Sequence, residues 1–217
     1  IEPGVVVDHQ GQIISATIED LGAQFGYDLP DDGFRIPYMA RTFRLTFEAQ
    51  QIPALGYRVY AWKPEAANEA VDIVKTEEVV STSQGMENQY LAVRFADDGS
   101  YSITDKTTGR VFSDLGIYEN CGDIGNEYVF RQPDGDSVLT TRGLAASLSL
   151  IEDKPYRVTY EVVHEWEIPA SAEASFEDEK RRLVQFRKRQ SGRSADTLTL
   201  KLTTQVSLES SGQGVHV

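Results

Sequence analysis

Apolar and polar residues alternate with a period of two along most of the chain. Phe43, Leu45 and Phe47 alternate with polar side chains, and every second side chain of residues 156–168 is apolar or aromatic. A β-strand points successive side chains to opposite faces of a sheet, so this pattern predicts strands with one buried face. Short polar turns rich in Gly, Asp and Thr separate the runs, which favours an all-β, antiparallel protein.

Individual segments give more specific predictions. Residues 5–8 and 12–18 flank a polar turn and are predicted to form a hairpin, whereas Gly, Pro and Asp predict a long loop over residues 19–34. Residues 70–80 are predicted to form a strand or a strand pair. The one helix candidate is residues 174–186, where acidic side chains precede basic ones as a helix dipole favours; a loop running into a strand is the alternative.

The strands require two packed sheets, because each of them has only one apolar face. The polar residues 81–88 are the best candidate for a boundary between modules. The sequence therefore predicts antiparallel β-sandwiches, with a small domain at residues 1–84 and a larger one at residues 85–217.

Charge and composition exclude several classes of partner. The formal net charge of -13 over 217 residues argues against DNA or RNA, whose phosphates require clustered Lys and Arg. The basic residues 179–189 adjoin an acidic run, which favours a neutralised surface over a phosphate site. No long apolar run or signal peptide is present, so no membrane partner is expected. The single cysteine, Cys121, permits no internal disulfide and is typical of a cytoplasmic protein.

Chemistry-bearing residues are scarce. His9, His164 and His216 have no second His or Cys at ligand spacing, so the chain is expected to hold no metal or cofactor of its own. His164 lies on the apolar side of its strand and is predicted to be a core residue. Cys121 has no evident base beside it, and no G-x-S-x-G motif occurs, so no catalytic residue is predicted in this chain.

Residues 119–136 are the exception, since carboxylates and glycines surround one tyrosine there. Glycines allow a close approach of backbone to a ligand, and Tyr128 offers a flat apolar face with a polar tip. Asp123 and Glu127 are candidates for an acid/base pair, because glycosidases use two carboxylates. The residues alone favour the simpler interpretation of an acidic turn over a ligand-binding loop.

Four motifs carry a resemblance to a known family. They are E-N-x-Y-L-x-V-x-F-x-x-D-G-S at residues 87–100, D-K-x-T-G-R-V at 105–111, G-D-I-G-x-E-Y at 122–128 and P-x-L-G-Y at 53–57. Together they resemble the C-terminal β-domains of bacterial glycoside hydrolase family 38 α-mannosidases. The resemblance covers residues 1–135 well and rests on strand pattern beyond them. It also implies that the larger sandwich is incomplete at residue 217.

The resemblance implies a function that the residues alone do not. The family hydrolyses terminal α-mannosides with retention, using zinc and carboxylates of a catalytic domain that is not in this sequence. This chain would be the non-catalytic β-sandwich part, supporting the N-terminal catalytic domain of the same polypeptide. Tyr128 would contact a mannose-containing carbohydrate, and Asp123 and Glu127 would shape either the substrate-binding cleft or the interface with the catalytic domain. Asn126 replaces an aspartate that is frequent in bacterial relatives, which removes one charge.

Two alternative functions remain open at this stage. An independent carbohydrate-binding module would need an exposed aromatic platform, for which Trp62 and Trp166 are the candidates. A purely structural sandwich would bind nothing. Free oligosaccharide, glycoprotein glycan and mannosylglycerate all remain candidate substrates of the whole enzyme.

Overall fold

The computed structural model describes residues 4–14, 16–49, 52–64 and 78–217. The chain divides into two compact units, Ile1–Glu78 and Val79–Val217. Compactness alone does not test the predicted domain ranges 1–84 and 85–217, which stay a prediction. The strand predicted over residues 70–80 lies outside the described residues except for 78–80.

The first unit contains a three-stranded sheet in the order β2-β1-β5. Its strands are β1 (Gly4–Val7), β2 (Ile13–Ile14) and β5 (Ala61–Pro64), all antiparallel. The predicted hairpin of β1 and β2 is confirmed. Its turn is closed by Asp8, whose Oδ1 accepts hydrogen bonds from the backbone N–H groups of Gln10 and Gln12 at 2.8 and 2.9 Å.

A long two-stranded hairpin completes the described part of the first unit. It consists of β3 (Ala16–Asp28) and β4 (Ile36–Phe47). The long loop predicted over residues 19–34 is therefore wrong, because β3 continues through most of it. Gly26 is required within the strand: a Cβ there would lie 2.7 Å from Cζ of Tyr38, so the missing side chain makes room for the tyrosine across the hairpin.

The second unit begins with a five-stranded antiparallel sheet in the order β10-β9-β8-β7-β6. The polar residues 81–88, interpreted above as a boundary, carry its first hairpin. The strands are β6 (Val80–Thr82), β7 (Gly85–Glu87), β8 (Leu91–Phe95), β9 (Tyr101–Asp105) and β10 (Val111–Leu115).

A second antiparallel sheet has the order β13-β14-β15-β16. Its strands are β13 (Ser147–Lys154), β14 (Arg157–Pro169), β15 (Thr197–Glu209) and β16 (Val215–His216). The two sheets share one core, in which Phe95 of the first packs 5.3 Å, ring centre to ring centre, from Tyr160 of the second. Each sheet covers the apolar face of the other, so the predicted β-sandwich is confirmed.

Buried polar groups in this core have specific structural roles. Asn88, 3% exposed, donates from Nδ2 to the carbonyl oxygens of Glu209 and Gly212 at 2.8 and 2.7 Å, and accepts from two backbone N–H groups of its own turn. His164 is fully buried, as predicted, and donates from Nε2 to the carbonyl oxygen of Asp98 at 2.8 Å. These bonds connect the two sheets through groups that would be costly to bury unpaired.

A small antiparallel pair and a helical segment complete the second unit. β11 (Glu119–Asn120) pairs with β12 (Leu139–Thr140), and the candidate loop runs between them. Helix α1 (Ser175–Arg181) confirms the predicted helix but is shorter, and one turn of 3-10 helix, Phe186–Lys188, follows it. No helix within the described ranges is long and apolar enough to cross a membrane.

Candidate functional site

The base of the candidate loop is fixed by a buried ion pair. Arg193 donates from Nε to Oδ1 of Asp136 at 2.6 Å, and from Nη1 to Oδ1 of Asn120 at 2.7 Å. The other oxygen of Asp136 accepts the backbone N–H of Gly122 at 2.8 Å. The two ends of the loop are thereby joined through one carboxylate.

The electrostatics of Asp136 agree with this structural role. Burial raises the pKa of its carboxyl, but hydrogen bonds from the Gly122 amide and Gln132 and the positive charge of Arg193 more than offset it, and the pKa is lowered. Asp136 is therefore an ionised structural carboxylate, which makes it unsuitable as a proton donor at neutral pH.

Asp123, a predicted site residue, folds the loop itself. Its Oδ1 accepts the backbone N–H groups of Gly125 and Arg131 at 2.8 and 3.0 Å. Gly125 leaves no room for a side chain, since a Cβ there would lie 1.8 Å from the carbonyl oxygen of Val129. One carboxylate oxygen of Asp123 is thus committed to the shape of the loop.

Asn126 forms the turn that leads to the tip of the loop. Its Oδ1 accepts the backbone N–H groups of Tyr128 and Val129 at 2.9 and 3.0 Å, and a β-bridge joins Asn126 to Val129. An aspartate would offer the same acceptor oxygen. The asparagine therefore keeps the turn while removing a charge.

The tip of the loop presents aromatic side chains to solvent. Tyr128 is 92% exposed and Phe130 61% exposed, with Glu127 also on the surface. We call residues 127–130 the aromatic tip. The three predicted site residues therefore separate by role: Asp123 lies within the loop, whereas Glu127 and Tyr128 extend outward. Asp123 and Glu127 make no hydrogen bond to each other.

Arg189 is a residue of this site that the sequence did not reveal. Its Nη1 donates to the carbonyl oxygen of Ile124 at 2.8 Å and also to that of Gly125. The contact joins positions about 65 residues apart, so no local pattern indicates it. Arg189 belongs to the basic run 179–189. The charge of this run is partly neutralised, as expected, because Lys180 and Arg181 pair with acidic side chains one helical turn earlier.

Neither a metal centre nor a tryptophan platform is found in the described part of the chain. No group of three or more His, Cys, Asp or Glu side chains there is arranged to hold a metal ion. Trp166 is 6% exposed and belongs to the core, as predicted, and Trp62 is partly buried against Gly4. The free Cys121 is half-buried beside a small cavity of about 150 Å³.

Comparisons with known proteins identify the family. The model for glycosyl hydrolases family 38 C-terminal domain 1 matches residues 1–64. Over 202 residues the chain is 38% identical to the "Putative mannosylglycerate hydrolase" of Halalkalibacterium halodurans. The chain belongs to the C-terminal region of glycoside hydrolase family 38. The resemblance drawn from the four motifs is confirmed.

Solved family 38 structures show the same fold. An alpha-mannosidase from Enterococcus faecalis V583 superimposes with a TM-score of 0.80 at 28% identity, and a second family 38 protein from Enterococcus faecalis with 0.78 at 26%. Both alignments cover 99% of this chain but only 24% and 25% of those chains. The match to the Halalkalibacterium protein covers 92% of this chain and 22% of that protein. The family 38 chain described here thus spans about a quarter of its relatives' length.

Proposed function

We propose that this chain is the non-catalytic β-sandwich part of a longer family 38 enzyme that hydrolyses terminal α-mannosides. The observation that carries the proposal is the alignment with the alpha-mannosidase structure, which covers 99% of this chain but only 24% of the alpha-mannosidase chain. The catalytic groups would then lie in the N-terminal catalytic domain of the same polypeptide. The sandwich would support that domain and lend the aromatic tip to the sugar-binding cleft.

The geometry of the loop supports a sugar contact by Tyr128. A tyrosine ring offers an apolar face to the C–H groups of a sugar, and its hydroxyl bonds to sugar hydroxyls. Tyr128 is 92% exposed on a loop whose base and turn are held by side-chain hydrogen bonds. Such a loop fixes the backbone at Tyr128, so little backbone entropy is lost on binding. Glu127 would accept hydrogen bonds from hydroxyls, and Asp123 would act by shaping the loop.

The family chemistry would come from outside this chain. The described residues offer no zinc ligand set, so a zinc ion and the two catalytic carboxylates of a retaining mechanism would belong to the catalytic domain. We do not assign Asp123 and Glu127 an acid/base role, because Oδ1 of Asp123 already accepts two backbone N–H groups of the loop. The single cysteine supports a cytoplasmic location for the enzyme.

Among the candidate substrates, mannosylglycerate has the strongest support. The protein of Halalkalibacterium halodurans at 38% identity is named for that substrate, whereas the Enterococcus faecalis structures at 28% and 26% are named more generally. We propose α-mannosylglycerate as the first substrate to test, with free mannobiose and a glycoprotein glycan as competitors.

An activity assay of the full-length protein tests the proposal. We expect release of mannose from an α-mannoside, with the α-anomer seen first by NMR, as retention requires. We expect activity to fall on chelation and to return with zinc. Full-length protein that is folded but hydrolyses none of the three α-mannosides would contradict the proposal.

An independent carbohydrate-binding module is the alternative function. Of its two tryptophan candidates, Trp166 is in the core, and Trp62 is only partly exposed. The exposed Tyr128 is the remaining aromatic candidate for sugar binding by such a module. Millimolar or tighter binding of mannose by this chain alone, in a protein without hydrolase activity, would favour the module over the enzyme.

A further inference from the structure

Arg189 connects three separate segments of the second unit. Its Nη1 bonds to the carbonyl oxygens of Ile124 and Gly125 in the loop, and its Nε donates to the carbonyl oxygen of Val184 at 3.2 Å. Its guanidinium lies over the ring of Phe176 in helix α1, 5.3 Å from the ring centre. One side chain therefore fastens the loop to the helical segment.

The chain at and directly after Arg189 is itself held by hydrogen bonds. The carboxylate of Glu179 accepts the backbone N–H of Gln190 at 2.8 Å and the hydroxyl of Ser191 at 2.7 Å. The loop also bonds back, since Nη2 of Arg131 donates to the carbonyl oxygen of Arg189 at 3.2 Å. The guanidinium thus extends from a fixed stretch of backbone, unlike that of an arginine on a flexible surface segment.

The contact reaches the aromatic tip through a short, stiff connection. Ile124 is fully buried, and Asn126 closes the turn to Tyr128 and Val129 with two hydrogen bonds. The tip therefore follows directly on residues 124 and 125, and a displacement of these two residues would be transmitted to it. Those are the two residues whose carbonyl oxygens Arg189 holds.

We propose that Arg189 is a positioning residue for the sugar contact made by Tyr128, with the helical segment 175–191 as its anchor. The inference rests on the proposed function only for the sugar contact; the loop geometry stands by itself. Arginine suits this role because its planar fork binds carbonyl oxygens on different segments at once, whereas lysine offers a single point charge.

The test compares full-length wild type with Arg189→Met and with Arg187→Met as the matched control. Arg187 lies two residues away in the same basic run, is exposed, and stacks over Phe186. Hydrogen exchange followed by mass spectrometry reads the backbone of residues 123–131. We expect exchange about tenfold faster or more in Arg189→Met, and unchanged in Arg187→Met, because a hydrogen bond to a charged group has been lost.

Kinetics on an α-mannoside supply the second readout. Arg189→Met should raise KM more than it lowers kcat. The double variant Arg189→Met/Tyr128→Ala should lose no more kcat/KM than Tyr128→Ala alone, because Arg189 acts through Tyr128. Losses that multiply, or exchange at residues 123–131 that stays at the wild-type rate, would overturn the proposal.

Two further results keep this test separate from that of the proposed function. If Arg189→Met does not fold, Arg189→Lys replaces it. We expect residues 123–131 of this variant to be only partly protected from exchange. Full wild-type protection would overturn the argument that the planar guanidinium is required. If Tyr128→Ala retains full activity, the sugar contact fails and with it the functional half of the inference. The exchange result then still decides whether Arg189 holds the loop.

Discussion

Arg193 and Asp136 form an ion pair of 2.6 Å whose side chains are only 13% and 7% exposed. The pair lies at the base of the loop that carries Tyr128, and Asp136 also accepts the Gly122 amide. Two distant segments of the chain are joined at this point: the end of the loop before β12 and the segment between helix α1 and β15. The position of the loop therefore depends on a contact that is shielded from solvent.

Breaking this pair is expected to loosen the loop. Arg193→Met would leave the Asp136 carboxylate buried without its cation, which costs about 3 kcal/mol. Hydrogen exchange of the Gly122 amide should accelerate about a hundredfold. Arg142→Met is the control, since its partner Asp114 is 3.3 Å away and both side chains are about 60% exposed. Equal effects of the two substitutions would refute the special role of burial.

Gly99 is expected to tolerate no side chain. It has φ +73°, and a Cβ would lie 2.5 Å from Cγ1 of Val162 and 2.9 Å from Cε1 of His164. Gly99→Ala should lower the free energy of unfolding by about 3 kcal/mol, from backbone strain and overpacking together. Gly109→Ala separates the two causes, because Gly109 has φ +72° but open space around it; it should cost about 1 kcal/mol.

Thermal and urea denaturation of the two glycine variants provide the measurement. A Gly99→Ala protein no less stable than Gly109→Ala would show that the contact between the 97–100 turn and β14 is looser than the structure has it.

Leu183 ends helix α1 in a conformation that favours glycine. It has φ +52°, and it is 88% exposed. The N–H of Leu183 donates to the carbonyl oxygen of Lys180, and the N–H of Val184 donates to the carbonyl oxygen of Glu179. This is a Schellman end with leucine in the usual glycine position. Leu183→Gly should therefore stabilise the helix by about 1 kcal/mol, seen as slower exchange of the helix amides. Leu183→Ala, which keeps the strain, should show no such gain; equal gains would trace the effect to side-chain removal.

Acid is expected to destabilise the second unit partly through Asp98. The Gly143 amide and the Ser100 hydroxyl hydrogen-bond its carboxylate, and together they hold its pKa below the ordinary 3.8 despite partial burial. A lowered folded-state pKa gives stability that is complete above the unfolded value and is lost as pH falls below it. Denaturation midpoints of the wild type should thus decline below about pH 4.

Asp98→Asn tests the assignment of this acid sensitivity. It removes the titrating group, so the variant should be less stable near pH 7 but lose less stability between about pH 5 and pH 2. Asp97→Asn, at the exposed neighbouring position, should leave the wild-type slope. An unaltered slope in Asp98→Asn would assign the acid sensitivity to other carboxylates.

The sandwich was predictable because its strands obey a simple rule. Val158, Tyr160 and Val162 occupy every second position of β14, and each is almost fully buried. His164 continues the same face and was correctly placed in the core. The hairpin of β3 and β4 was missed, since glycine and aspartate are typical of turns. Within β3, Gly26 makes room for Tyr38 and Gly22 lies at a register shift, so neither glycine ends the strand.

The loop that carries the candidate site was only partly predictable. The glycines and carboxylates of residues 119–136 marked an unusual segment, and the family resemblance pointed to Tyr128. What the carboxylates do was not visible, because Asp123 and Asp136 bond to backbone amides and to an arginine 57 residues further on. Arg189 was missed for the same reason: no local sequence pattern at Arg189 or at Ile124 predicts a contact across about 65 residues.

The most direct test of the account is the effect of Tyr128→Ala on kcat/KM for an α-mannoside in the full-length protein. Folding should be unaffected, since 92% of Tyr128 is exposed. We predict a loss of about tenfold or more, mostly in KM, with part of it restored in Tyr128→Phe. Tyr57→Ala, another exposed tyrosine at 82%, is the control. Wild-type kcat/KM in Tyr128→Ala would contradict the account and leave this chain as a structural sandwich alone.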